Sequence, residues 1–193
     1  MIPKELEHLD LNYFSHGKRS KIYTYTENGK MFAVKIEDDK IKNKGRIENE
    51  VKFLNILNKQ NIGSRVLHAG KKYFIYEFVE GSLILDFIEK SKNPFPVLKN
   101  ILRQCQVLDE LKINKLEMHH PMKHIFIKKK KVVLIDFERC YFTEKPKNVT
   151  QFCQFLIRSK KLSLNKEKII AAVKEYKKEN SEKNFKKVLA CLI

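Results

Sequence analysis

The sequence lacks several features that would assign it to common special classes of protein. No apolar run approaches the ~20 residues that an α-helix needs to cross a bilayer. The four cysteines are widely spaced and form no Cys-x-x-Cys pair, which argues against a disulfide framework and a cysteine-ligated zinc site. Residues 1–14 carry three acidic side chains and no apolar segment, so no signal peptide is predicted. We therefore expect a cytoplasmic protein.

The composition is that of a globular protein with a strong excess of positive charge. Of 193 residues, 42% are apolar and 33% are charged, and neither an internal repeat nor a low-complexity linker is present. The 40 Lys and Arg against 23 Asp and Glu give a net charge of +17. Such a field attracts polyanions, so RNA or the ribosome is a candidate partner. A general lysine bias in the composition would produce the same excess, and charge alone does not separate the two explanations.

Strand signals dominate the first third of the chain. Alternating residues on both sides of Asn28-Gly29 predict a β-hairpin over Ser20–Glu37. A helix follows, with Ile47, Val51, Leu54 and Leu57 at helical spacing. Two further strands are predicted in the segments SRVLHAG and KKYFIYEFVEG, the second apolar on both faces as in a buried strand.

Helical patterns dominate from residue 82 onward. A short helix and a longer one over residues 96–115 precede two short strands, HIFIK and KVVLIDF. Apolar stripes in the tail predict three more helices, namely Val149, Phe152, Phe155 and Leu156; Ile169, Ile170, Val173 and Tyr176; and Phe185, Val188, Leu189 and Leu192. A strand-rich first part followed by a helical part predicts an α+β protein.

Three separated motifs carry functional side chains. FAVKI places Lys35 on a strand, on the face opposite Val34 and Ile36. The next helix supplies Glu50, four residues before Leu54. VVLIDFE is a buried apolar strand that ends in Asp136.

The order and spacing of these motifs resemble the protein-kinase-like superfamily over nearly the whole chain. Within it, the chain is similar to the small archaeal RIO-like Ser/Thr protein kinases. The resemblance implies a bilobal protein-kinase-like fold with a reduced C-lobe, as one domain over residues 1–193. Residues 1–80 would form the N-lobe and residues 81–193 a mainly helical C-lobe. The segment after Asp136 is too short for the peptide-docking helices of larger protein kinases.

The resemblance also implies ATP and Mg²⁺ or Mn²⁺ as cofactors. SHGKRSKI lies where the glycine-rich loop belongs, although only its middle glycine matches. Lys35 would reach the phosphates and Asp136 would ligate the metal. The expected ATP-binding residues are Gly17, Ile22, Ala33, Lys35, Glu50, Glu77 and Val79, the last two through their backbone.

The expected catalytic loop, EMHHPMKH, departs from the family pattern at its polar positions. Counting back from Asp136 places His124 at the metal-binding Asn and His119 at the catalytic Asp. His119 could accept a proton, and Glu117 could supply the missing carboxylate from a displaced position. His124 could ligate a metal, although imidazole favours softer ions than Mg²⁺. A transition-metal site formed by His119, His120, His124 and Asp136 is a further alternative.

These expectations lead to three functional hypotheses. The first is an atypical Ser/Thr protein kinase that transfers the ATP γ-phosphate to itself or to a partner protein. The second is a catalytically impaired pseudokinase that acts as a nucleotide-dependent RNA- or ribosome-associated adaptor. The third, an RNA-binding module with no nucleotide site, has no support from an RNP-like aromatic strand or another recognisable motif.

Overall fold

The computed structural model describes residues 2–40 and 45–192 and has a mixed α+β fold, as the sequence predicts. The chain divides into two compact units. The first comprises Met1–Val79 and Ile135–Arg139, and the second comprises Glu80–Leu134 and Cys140–Ile193. Ile135–Arg139 belong to the first unit although they follow most of the second in sequence.

The first unit contains an antiparallel five-stranded sheet with the order β1-β2-β3-β5-β4. Its strands are β1 (Asn12–His16), β2 (Ser20–Glu27), β3 (Lys30–Glu37), β4 (Val66–Ala69) and β5 (Tyr73–Glu77). The predicted hairpin is confirmed, since every residue of β2 pairs with one of β3. Asn28 and Gly29 have φ angles of 50° and 71°, the left-handed conformation that a two-residue hairpin turn of this kind requires.

Helix α1 (Arg46–Leu57) lies against β3, β4 and β5. Ile47, Leu54 and Leu57 are buried as predicted, but Val51 is only partly buried and Phe53 is buried in addition. A separate apolar cluster includes Val34 and Ile36 of β3; its other buried members are Leu6, Tyr25, Tyr73 and Ile75. Because neighbouring strand residues point to opposite faces, this cluster directs Lys35 to the other face of β3.

The second unit is mainly helical. Its helices are α2 (Ile84–Lys90), α3 (Phe95–Glu110), α4 (Asn148–Arg158), α5 (Lys166–Lys178) and α6 (Glu182–Ala190). Short strands form a β6-β8-β9 sheet and a β7-β10 pair, from β6 (Ser82–Leu83), β7 (Ile113–Asn114), β8 (Ile125–Lys128), β9 (Lys131–Leu134) and β10 (Tyr141–Phe142). Helix α4 packs between α3 and α5, and its predicted apolar stripe is buried.

Several sequence predictions are wrong in detail. The strand that was expected to end in Asp136 ends at Leu134. Helix α3 ends at Glu110, not at residue 115, because Lys112 adopts a left-handed φ of 57° and Ile113–Asn114 pair with β10. In α5, Ile170 is 43% exposed and does not share the buried stripe. None of the helices in the described ranges combines the length and apolar character that crossing a lipid bilayer requires.

Candidate functional site

Lys35 lies at the centre of an ion cluster inside the first unit. It occupies the middle of β3, paired with Ile22 of β2 and Phe74 of β5, and it is buried. Its Nζ lies 2.6 Å from Glu50 Oε2, 3.2 Å from Asp136 Oδ1 and 3.8 Å from Glu138 Oε2. The structure therefore brings together the three residues that carry the kinase-like motifs, and adds a fourth, Glu138.

The three carboxylates keep Lys35 charged. Burial alone would lower the pKa of Lys35, but Glu50, Asp136 and Glu138 together raise it above the ordinary lysine value. A buried ammonium is costly unless it is paired and hydrogen-bonded, and this one is both. Lys35 is consequently a fixed cation across the physiological pH range.

Glu50 connects α1 to the Ile135–Arg139 segment. One of its carboxylate oxygens bonds Lys35, and the other accepts the backbone N–H of Phe137 at 3.0 Å. Burial raises the pKa of Glu50, while the Lys35 ammonium and the Phe137 amide oppose that rise. Both oxygens are thus used within the protein, so Glu50 acts as a positioning residue for Lys35 and for the segment that follows β9.

Asp136 has an unusual backbone conformation for a residue with a side chain. Its φ is 65°, in the left-handed region that non-glycine residues seldom adopt. Such strained residues concentrate at functional sites, where the surrounding structure holds them in place. The Asp136 side chain is 30% exposed, against 4% for Glu50 and 9% for Glu138. Asp136 is therefore the most accessible carboxylate of the cluster.

Glu138 is held from several sides. Its Oε1 accepts a hydrogen bond from Arg19 Nη1 at 2.7 Å. Its backbone carbonyl accepts from Arg46 Nη1 at 3.3 Å and from Asn49 Nδ2 at 3.0 Å, both on α1. Sequence reasoning gave Glu138 no role, because its partners are more than 85 positions away along the chain.

The cluster offers a limited set of ligands to a divalent cation. Among the described residues, one carboxylate oxygen from each of Glu50, Asp136 and Glu138 lies within 4.8 Å of the other two. Asp136 is the most exposed of the three carboxylates, so it is the one best suited to a metal that also binds a ligand from solvent. Mg²⁺ commonly binds proteins through one or two carboxylates together with phosphate oxygens and water, and Asp136 fits that pattern.

The other expected ATP-binding residues of the first unit lie on its strands and turns. Gly17 follows β1, and its N–H donates to the Ser20 carbonyl at 2.8 Å, closing the β1–β2 turn. Ala33 is fully buried on β3. The N–H of Glu77 donates to the Arg65 carbonyl at 3.0 Å, so an adenine ring would have to use the Glu77 carbonyl. Val79 is the last residue of the first unit before Glu80.

The expected catalytic loop belongs to the second unit and forms two 3₁₀ turns, Leu116–His119 and Pro121–Lys123. Glu117 is buried, and its Oε2 accepts from Lys115 Nζ at 3.2 Å. His119 is exposed, and its Nδ1 lies 2.6 Å from the Leu116 carbonyl. Because a carbonyl only accepts, Nδ1 carries the proton and Nε2 is the basic nitrogen. His124 follows the second turn and is partly buried.

A buried polar network holds the start of this loop. Asp109 at the end of α3 accepts from the backbone N–H and Nδ2 of Asn148, at 2.9 Å and 2.6 Å, and from Tyr176 at 3.2 Å. Asn148 Oδ1 accepts the backbone N–H of Lys115 at 2.8 Å. Sequence reasoning missed this network; the available signal was a carboxylate embedded in the apolar pattern of α3.

The loop histidines were also considered, together with Asp136, as a transition-metal site. Within the described ranges, no group of three potential metal ligands includes a histidine. The Nδ1 atoms of both His119 and His120 bond backbone carbonyls, at 2.6 Å and 2.7 Å, which leaves Nε2 as the ring nitrogen that could bind a ligand.

Comparisons with known proteins add no assignment. No family model matches the chain, and a search of curated proteins finds no significant match.

Proposed function

We propose that this chain is an ATP-binding, protein-kinase-like phosphotransferase of the atypical RIO-like type. It would transfer the γ-phosphate to a Ser or Thr hydroxyl of itself or of a partner protein, on a bilobal fold whose N-lobe is the first unit. One observation carries the proposal. Lys35 Nζ lies within hydrogen-bonding distance of Glu50 and Asp136, which are 15 and 101 positions away along the chain. The kinase-like motifs had singled out these three residues independently.

The residues of the first unit have distinct roles in this proposal. Lys35 is a charged donor for the α- and β-phosphates, and Glu50 keeps it in position. Ile22 contacts the adenine, whose edge bonds the backbone of Glu77 and Val79. Ala33 is fully buried and has no exposed surface for such a contact. A bound Mg²⁺ or Mn²⁺, held by Asp136, would neutralise charge on the phosphates.

The chemical step needs little beyond positioning and electrostatic stabilisation. The acceptor hydroxyl oxygen bonds to the γ-phosphorus as the bond to the β–γ bridging oxygen breaks, and ADP leaves. The hydroxyl proton passes to a base. His119 offers a basic Nε2, and Glu117 offers a carboxylate fixed by Lys115.

A pseudokinase that acts as an RNA- or ribosome-associated adaptor is the second candidate. Two observations favour it: the loop carries His119 and His124 at the expected Asp and Asn positions, and the second unit is strongly basic. Glu80–Leu134 and Cys140–Ile193 contain 24 Lys and Arg against 11 Asp and Glu, a net charge of +13. This candidate binds nucleotide through the same Lys35 cluster and differs only in the transfer step.

The first experiment is a thermal-unfolding measurement with ATP and Mg²⁺ or Mn²⁺. At a hundred-fold excess over Kd, ATP should stabilise the unmutated protein by about 2.7 kcal/mol. Lys35→Met should abolish that stabilisation, whereas Lys30→Met, at the exposed start of the same strand, should retain it. Asp136→Asn provides a second test, with weaker metal-dependent binding expected.

Transfer of label from γ-labelled ATP under single-turnover conditions then separates the two candidates. Label transfer or hydrolysis supports the phosphotransferase, and ATP binding without either supports the pseudokinase. If ATP stabilises the unmutated protein and Lys35→Met equally, the nucleotide-site assignment is wrong.

A further inference from the structure

The Glu138 carboxylate lies between two cations that come from different parts of the first unit. One oxygen bonds Arg19, in the turn after Gly17, at 2.7 Å. The other lies 3.8 Å from Lys35 Nζ on β3. A single buried anion therefore faces both Arg19 and Lys35, with one oxygen directed to each.

The backbone that carries this carboxylate is fixed. Arg46 and Asn49 bond the Glu138 carbonyl, and Glu50 bonds the N–H of the preceding residue, Phe137. Because α1 holds the Phe137 N–H and the Glu138 carbonyl, rotation of the Glu138 side chain is the simplest movement that takes its carboxylate away from Arg19 and Lys35. Displacement of the carboxylate is thus a side-chain rotation and requires no unfolding of the segment.

The chemistry of Arg19 suits a phosphate as well as a carboxylate. A guanidinium donates to either anion in the same forked geometry. The Arg19 side chain is 34% exposed, so its charge is accessible from solvent, and it lies in the turn where the glycine-rich loop was expected. Two cations bridged by one carboxylate are also a suitable pair of ligands for neighbouring phosphate oxygens.

We propose that Arg19 is a second phosphate-binding cation and that Glu138 competes with the polyphosphate for Arg19 and Lys35. This inference rests on the proposed function, because it concerns the phosphates of the same nucleotide. The competition selects for ligands with high phosphate charge, since a weakly charged ligand cannot displace the carboxylate. Glu138 accordingly lowers the affinity for any polyphosphate and favours triphosphates over monophosphates.

The test compares binding of inorganic tripolyphosphate, without metal, to the unmutated protein and to Glu138→Gln. Glutamine keeps the shape and removes the charge, so binding should tighten by about ten-fold. Glu48→Gln, an equal charge change at an exposed position of α1, should have much less effect. Arg19→Gln should weaken binding by several-fold, and the gain from Glu138→Gln should shrink in the Arg19→Gln background, because both changes act on one contact.

A second readout keeps the test valid if Glu138→Gln folds poorly. The unmutated protein should bind tripolyphosphate far more tightly than inorganic phosphate, and Arg19→Gln should reduce that ratio. Unchanged or weaker tripolyphosphate binding by a folded Glu138→Gln would overturn the inference. If the unmutated protein binds ATP in that case, the proposed function stands by itself; if neither protein binds ATP or tripolyphosphate, both proposals fail.

Discussion

The two units differ in where they place charged side chains. The first unit contains 16 Lys and Arg and 12 Asp and Glu. Several of these charged residues are buried around Lys35. The second unit contains 24 Lys and Arg and 11 Asp and Glu. Its excess basic residues are largely exposed, as in the Lys128–Lys131 hairpin turn.

This difference separates two uses of charge. A buried charge is costly, so it persists only where partners compensate it, and the compensated cluster around Lys35 has fixed geometry. An exposed charge costs little and constrains little, but a sum of many such charges attracts polyanions over a distance. The first unit therefore carries the candidate site for a specific ligand. The second unit carries the positive charge that would attract polyanions less specifically.

The loop of the second unit gives the largest expected effect. If His119 accepts the proton, His119→Ala should lower single-turnover phosphate transfer on the order of 10²–10⁴-fold and leave ATP binding intact. If Glu117 has that role, Glu117→Gln should show this loss. His120→Ala, at the neighbouring exposed histidine, is the matched control. Equal rates in all three variants, with transfer still measurable, would mean that neither candidate is the base.

The buried carboxylate of Asp109 in the second unit should contribute to the stability of the protein. Asp109→Ala removes acceptors for Asn148 and Tyr176 and leaves buried donors unpaired, so we expect a loss of about 3 kcal/mol in the free energy of unfolding. Urea denaturation measures this change in the free energy of unfolding. Glu110→Ala, at the exposed neighbouring position, should change that free energy by less than about 0.5 kcal/mol. Similar values for the two variants would show that the network does not stabilise the second unit.

The exposed charge of the second unit should govern RNA binding. Affinity for a single-stranded RNA should fall as salt rises from ~50 to ~200 mM, because phosphate contacts release condensed counterions. Changing Lys129 and Lys130 to Ala should reduce the slope of log K against log salt by up to about 1.4. The same change at Lys59 and Lys71, exposed lysines of the first unit, should leave the slope nearly unaltered. RNA affinity independent of salt would contradict an electrostatic partner.

Much of the local structure could be predicted because its causes are local. Asn28 and Gly29 favour the left-handed turn whatever lies elsewhere, and the alternation around them then sets both strands of the hairpin. The C-terminal end of α3 could not be predicted from the local sequence. The pattern of residues 111–115 is compatible with helix, and pairing with Tyr141–Phe142 is what turns Ile113–Asn114 into a strand. Local propensity was overridden by a partner almost thirty residues away.

For the candidate site, the sequence by itself was enough to single out Lys35, Glu50 and Asp136, because each lies in a motif that resembles one of the protein-kinase-like superfamily. Only the tertiary structure decided that Glu138 and Arg19 meet at the same cluster, and that Asp109 and Asn148 hold the backbone of Lys115. The physical reason is that hydrophobic periodicity reports which face of an element is buried, and not which distant element covers it. Charge compensation depends on distances between side chains, and those distances exist only once the chain has folded.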